Sequence, residues 1–287
     1  MTAPAVTAFF HEPTFTVTYL VADPATGRCA VIDPALDYDA KSGHSDTRTA
    51  ARVLDHVRRH GLVVDWILET HCHADHLSAA QFLRNATGAP VCIGADIVKV
   101  QALFKDLFNA KDLTPDGSQF DRLFADDETF AIGGIAVRVL HTPGHTPACI
   151  SYLAGDAVFV GDTLFMPDYG TARADFPGGD AAQLYRSIRR ILALPPDTRV
   201  FTCHDYKAPG RPWFAWESTV AEQRAGNLHA RDGVDEQAFV AMRRARDAKL
   251  DTPALMLPSV QVNMRAGHFP PPEDNGIVYL KLPLDRL

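Results

Sequence analysis

The chain has 287 residues, 46% of them hydrophobic, enough for one large domain or one domain and an appendage, and too apolar to be disordered over most of its length. Its formal net charge of -7 leaves no basic excess for neutralising phosphates, so nucleic acid is not an expected partner. The opening MTAPAVTAFFHEPTF has no basic segment followed by an apolar one, no apolar run approaches the roughly 18 residues of a membrane span, and the five cysteines (Cys29, Cys72, Cys92, Cys149, Cys203) are scattered without CxxC spacing; the expectation is a cytoplasmic protein with no membrane attachment and no disulfide framework.

Strand and helix patterns alternate along the chain. FTVTYLVA (15–22) and RCAVID (28–33) flank the turn-forming DPATG and are predicted to pair as a hairpin, after which DYDAKSGHSD (37–46) is expected to be a polar loop. Asp46 is expected to cap a helix running to about His60, with Ala50, Val53, Leu54 and Val57 on one face and Gly61 ending it. VVDWILET (63–70) follows as a buried strand, then a helix beginning near His76 in HLSAAQFLRNATG, a short strand PVCIG and a helix DIVKVQALFKDLF. From Glu128 to about Asp162, turns at Gly133-Gly134 and Gly155-Asp156 separate β-rich runs, which predicts a second sheet. Leu184, Ile188, Ile191 and Leu192 form the apolar stripe of a further helix, and RVFTC (199–203) is one more strand. Two helices, roughly 214–230 and 234–249, precede a proline-rich tail. No internal repeat is evident beyond a weak symmetry of two sheet-plus-helix halves.

The chemistry concentrates in ETHCHADHLSAA (69–80), where three histidines and an aspartate occupy residues 71–76 directly after an apolar strand. A strand ending at Thr70 puts the next side chains on a tight loop at a sheet edge, where they can converge on a cation. His71 and His73, two apart, can point the same way while Cys72 points into the core. The same alternation turns Cys203 inward, which argues against either thiol as a nucleophile. Further ligands are expected at later strand ends: His145 in HTPGHT, Asp162 in VGDTLF and His204 in FTCHDY. The seven residues can bind two metals, with His71, His73 and His145 on one, Asp75, His76 and His204 on the other, and Asp162 bridging.

In this order, THCHADH, HTPGHT, GDTLF and CHDY resemble the metallo-β-lactamase superfamily, over about Phe15–Tyr206. The resemblance implies an α/β fold, an αββα sandwich of two mixed β-sheets flanked by helices with the site at the strand ends. The catalytic domain would span 1–212, with a helical, proline-rich extension, 213–287, packed on the same domain. The family alone leaves the chemistry open, since hydrolases, oxidoreductases and nucleases all use it. Flavodiiron-type members carry Glu at the position of His73, so the histidine here argues against that branch.

Within the family the chain looks most like the persulfide dioxygenases. They carry Arg-x-Asp-Phe-x-x-Gly in the loop after the aspartate, matched here by Arg173, Asp175, Phe176 and Gly179 in ARADFPGG, and they follow the last histidine with Asp-Tyr, as in Asp205-Tyr206. That resemblance implies one Fe(II) per chain held by His71, His145 and Asp162, and the oxidation of glutathione persulfide by O2 and water to sulfite and glutathione. His73, Asp75, His76 and His204 would then be hydrogen-bonding or water-holding neighbours of the metal, or ligands of a second one. Asp75, His76, His204 and Tyr206 are the candidate catalytic residues. Arg173 and Tyr206 are the candidate substrate contacts, because a planar guanidinium suits a glutathione carboxylate and a phenol can donate to its peptide part.

The alternative is a glyoxalase II-like glutathione thioester hydrolase with two Zn(II). Those enzymes have a helical C-terminal glutathione-binding region, and the stretch beyond Tyr206 is longer than a minimal dioxygenase needs. A non-catalytic metal-binding module fits least, since no ligand of the motif set is missing. A small thiol compound is the expected partner in either enzymatic reading. A homo-oligomer is possible, because the proline-rich tail could cover a neighbour.

Overall fold

The computed structural model describes residues 3–286. In chain order, β1 (Ala5–His11), β2 (Thr16–Ala22) and β3 (Arg28–Ile32) form an antiparallel meander. A small hairpin, β4 (Ala35–Asp39) and β5 (His44–Asp46), leads to α1 (Arg48–Arg59) and then to β6 (Val63–Leu68), which lies parallel to β3. After the histidine loop come the two-residue β7 (Leu77–Ser78), α2 (Ala80–Thr87), β8 (Val91–Gly94), α3 (Ile97–Leu107) and β9 (Arg122–Phe124). The first sheet has the order β1-β2-β3-β6-β8-β9.

The second sheet is built from β10 (Thr129–Ile132), β11 (Ile135–His141), β12 (Ile150–Ala154), β13 (Ala157–Phe159), β14 (Arg199–Phe201) and β15 (Glu217–Thr219), neighbours in that order. Only β13 and β14 run parallel, because α4 (Ala181–Leu192) crosses over between them. Beyond β15 lie α5 (Val220–Gly226), α6 (Glu236–Asp247) and α7 (Met256–Asn263).

Strand alternation fixes the layers. Val17, Tyr19 and Val21 face the opposite sheet, where they meet Val139, Tyr152, Phe159 and Phe201, while Leu20 and Ala22 face the helical side. Val31, Ile67 and Ile93 pack beneath Val53, Leu54, Leu83 and Val260, and on the far side Val158 and Val200 pack against Leu184, Ile188 and Phe239. The result is the expected αββα sandwich of two mixed sheets.

Several local expectations differ. Residues 37–46 are a hairpin, not a loop: Asp39 accepts from Lys41 N and Ser42 Oγ across a turn with Gly43 at φ +70°, and the other edge of β4 pairs with β7. Its composition is polar because the turn is exposed. Asp46 stands one residue before the α1 cap, Thr47, and accepts from Thr47 N and Arg48 N. The second helix of the first half begins at Ala80, after β7, not at His76. Residues 214–230 hold β15 and then α5, whose start is fixed by a capping box between Thr219 and Glu222. The tail contains α7, which is buried on most sides and so lacks the amphipathic stripe by which helices are read from sequence. Among the described residues, no helix is long and apolar enough to cross a membrane.

Candidate metal centre

The loop after β6 is shaped by Asp33, at the end of β3. Its carboxylate accepts from Thr70 N (2.7 Å), Thr70 Oγ1 (2.8 Å) and His73 Nε2 (2.9 Å), so the turn that carries the histidines hangs on a neighbouring strand end. From the other side, Asn263 at the end of α7 donates Nδ2 to His73 O and His76 O, both at 2.8 Å, and accepts from Ser78 N. The HTPGHT turn, the end of β13 and the end of β14 bring His145, Asp162 and His204 to the same spot. All of these side chains are buried except Asp75, which is about a quarter exposed.

Each histidine has one ring nitrogen committed and the other free. Thr70 gives its own proton to Asp33, so its oxygen accepts from His71 Nδ1 at 3.0 Å. His76 Nδ1 donates to Leu77 O (3.0 Å), His145 Nδ1 to Arg173 O (2.8 Å) and His204 Nδ1 to Phe15 O (3.2 Å), while His73 donates from Nε2 to Asp33. These bonds fix the tautomers and leave a lone pair facing inward on His71 Nε2, His73 Nδ1, His76 Nε2, His145 Nε2 and His204 Nε2. Four of those nitrogens, all but that of His145, are buried without a hydrogen-bond partner, as is Asp162 Oδ1. Buried polar atoms are seldom left so, and their convergence fits cation ligation.

Several sets of donor atoms are mutually close, and two of them consist only of residues expected to ligate. Those of His71, His145 and Asp162 lie within 4.8 Å of one another, as do those of His73, Asp75 and His76. Metal–ligand bonds of about 2.1 Å separate donors by about 3–4 Å, so either set can close on one ion. Asp162 stands between them, with Oδ2 3.7 Å from His145 Nε2 and Oδ1 3.4 Å from His204 Nε2; His204 Nε2 is 3.3 Å from Asp75 Oδ2. The set His71, His73 and His145 expected for a first metal of two is not one of these groups, although the rings of His71 and His73 lie 4.0 Å apart.

Protonation suits ligation. Burial, reinforced by the neighbouring imidazoles, holds His71 well below its ordinary value, and burial pushes His76 down to about 3, so both are neutral bases at pH 7. His73 behaves oppositely: burial alone would lower it, but Asp33 and Glu69 raise it well above the ordinary value. That field favours positive charge at Nδ1, whether a proton or a metal cation, so ligation by His73 means displacing the proton from that nitrogen. Asp33, Glu69 and Asn263 carry no role in the sequence reading. An acidic residue closing the strand in VIDP was a usable signal for Asp33, whereas Asn263 had none.

A cavity of about 280 Å³ opens onto this cluster, with Asp75, His145 and Asp162 at its floor and Phe165, Tyr169, Phe176 and Tyr206 among its walls. Tyr206 stacks on His204, with ring centroids 5.7 Å apart. Arg173 also lines the cavity, but not as the free clamp expected. It forms a forked ion pair with Asp175 (2.6 and 2.8 Å) and donates to Asp251 O (2.7 Å), so its charge is already matched. Asp205 of the His-Asp-Tyr signature is buried against Arg211, which also holds Asp168 and so ties the loops bearing Tyr206 and Tyr169 together.

Residues 11–204 match the family model described as the metallo-beta-lactamase superfamily. The chain belongs to that superfamily. Its metallo-beta-lactamase fold binds metal, and its relatives include enzymes. The chain is 55% identical to a probable metallo-hydrolase of Burkholderia pseudomallei, over 98% of this chain and 99% of the relative. It is 49% identical to glyoxylase B2 of Dictyostelium discoideum (93% and 92%) and 30% identical to the mitochondrial persulfide dioxygenase ETHE1 of Homo sapiens (92% and 90%). It spans 65% of the length of the beta-lactamase hydrolase-like protein of Agrobacterium fabrum, to which it is 55% identical. Among solved structures, ETHE1 from Myxococcus xanthus matches with a TM-score of 0.73 and 30% identity, over 92% of this chain and all of that one. That coverage corrects the reading of the stretch beyond Tyr206 as surplus to a dioxygenase: most of it has a counterpart in that ETHE1 structure.

Proposed function

We propose that this metallo-beta-lactamase superfamily member is an iron-dependent persulfide dioxygenase. It converts glutathione persulfide, O2 and water into glutathione, sulfite and two protons. The observation that carries the reading is where the ARADFPGG loop sits: Arg173 O accepts from His145 Nδ1, and the Phe176 ring packs on His145 at 5.3 Å. The loop that marks the dioxygenase branch by resemblance is thus part of the cluster. The persulfide dioxygenase relatives support it, at 30% identity over most of both chains.

In this reading His71, His145 and Asp162 would hold the metal, and Fe(II) there would supply the redox chemistry that joins O2 to the substrate sulfur. The chain's own residues do the rest. Phe165, Tyr169 and Phe176 exclude bulk water from the cavity. Burial, then the nearby Asp75 and Asp162, raises the Tyr206 phenol, which stays protonated and donates to the peptide part of the substrate. Asp75, oriented by Thr16 Oγ1 at 3.1 Å, accepts a proton from the water that ends in sulfite. His73, His76 and His204 hold water beside the metal.

One observation favours a second reading. Five inward lone-pair nitrogens exceed what one iron uses, which suits a two-zinc, glyoxalase II-like hydrolase, as does the 49% relative named glyoxylase B2. Against it, the cavity is lined by two of the three proposed iron ligands, His145 and Asp162, but by Asp75 alone of Asp75, His76, His73 and His204. Metal analysis separates the two. Protein made in iron-sufficient cells and purified without oxygen should carry about one iron per chain. Two tightly bound zincs per chain, with full activity, would overturn the assignment.

A further inference from the structure

The cavity above the cluster is lined by charges of both signs: Asp75 and Asp162 of the cluster, and the arginines Arg173, Arg243 and Arg246. Two of these cations are matched. Arg173 is paired with Asp175, and Arg243 is buried against Asp247 at 2.6 Å while donating to Thr171 O at 3.1 Å. Arg246 is exposed at the cavity and, among the described residues, makes no ion pair and no side-chain hydrogen bond. It lies three residues after Arg243 on α6, hence on the same helix face. His229 lines the same cavity as a neutral imidazole, held down at about 4 by burial and then by Arg243 and Arg246, so the positive charge of this lining resides on the arginines. An unmatched, exposed guanidinium lining a pocket, in a chain of net charge -7, is an anion receptor open to a ligand arriving from solvent.

We propose that Arg246 is the carboxylate clamp of this cavity, selecting thiol compounds of the glutathione class over uncharged thiols. The inference rests on the reading of the cavity as a thiol-substrate site, and Arg246 takes the part that the sequence suggested for Arg173. Its test is an equilibrium titration, followed by NMR, of glutathione and of glutathione diethyl ester into the metal-loaded wild type, Arg246→Gln and Arg246→Lys.

The wild type should bind glutathione about 10-fold more tightly than the ester, the discrimination expected of one partly exposed charge-assisted contact. Arg246→Gln should remove that preference by weakening glutathione alone, and Arg246→Lys should keep part of it. Equal weakening of both ligands, an undiminished preference in Arg246→Gln, or no preference in the wild type would each overturn the clamp. Arg246-dependent binding without persulfide-dependent O2 uptake would leave the clamp standing and sink the dioxygenase. Persulfide oxidation with no acid-over-ester preference would do the reverse.

Discussion

Asp162→Ala should leave the chain with less than about a tenth of the wild-type iron and no measurable persulfide-dependent O2 uptake. The reason is the ligand count: with two imidazoles and one carboxylate on the metal, no protein group is redundant. Asp162 is the carboxylate of that set and lies within 3.7 Å of both His145 Nε2 and His204 Nε2. Oδ1 is buried and unpartnered and Oδ2 faces His145, so the carboxylate is not needed as a hydrogen-bonding anchor of the fold. The substitution should therefore remove metal without unfolding the chain. Metal analysis and a thermal melt of the same sample check both halves. Full iron occupancy in the variant would show that His71, His145 and Asp162 are not the set that holds it.

The largest loss of stability is expected at Asp33, which touches no substrate. Asp33 is 2% exposed and accepts from Thr70 N, Thr70 Oγ1 and His73 Nε2. Asp33→Ala strands the two Thr70 donors in a dry interior and leaves His73 with Glu69, at 3.4 Å, as its one remaining counter-charge. Leaving such groups unpaired costs about 3–5 kcal/mol. Urea unfolding of metal-free protein measures it. A loss below about 1 kcal/mol would mean that the histidine loop does not hang on Asp33.

These two residues mark what was legible in the sequence. Asp162 could be read because metal chemistry packs nitrogen and oxygen donors into short motifs at strand ends, and each motif follows an apolar run. The sandwich was legible for a related reason, since the order of those motifs resembles one family. Asp33 and Asn263 were not, because they act on the histidine loop from 40 and 190 residues away, on backbone and ring atoms that no local pattern records. Helix α7 was hidden by its own burial, and the hairpin at 37–46 by a composition that reads as loop. Arg173 shows a different limit. A cation's sequence position says where it is, and Asp175, two residues on, is a partner the sequence already offers, but the Asp251 carbonyl that completes the match is brought close only by folding.

The reaction itself separates the two enzymatic readings. A thioesterase directs metal-activated water at a carbonyl and consumes no oxygen, whereas a dioxygenase needs vacant positions on a redox-active metal. Purified protein given glutathione persulfide should consume O2 in step with the persulfide, form sulfite in equal amount and stop when oxygen is withdrawn, while S-lactoylglutathione is cleaved slowly or not at all. Rapid, oxygen-independent cleavage of S-lactoylglutathione with no persulfide-dependent O2 uptake would contradict the dioxygenase reading and assign the site to thioester hydrolysis.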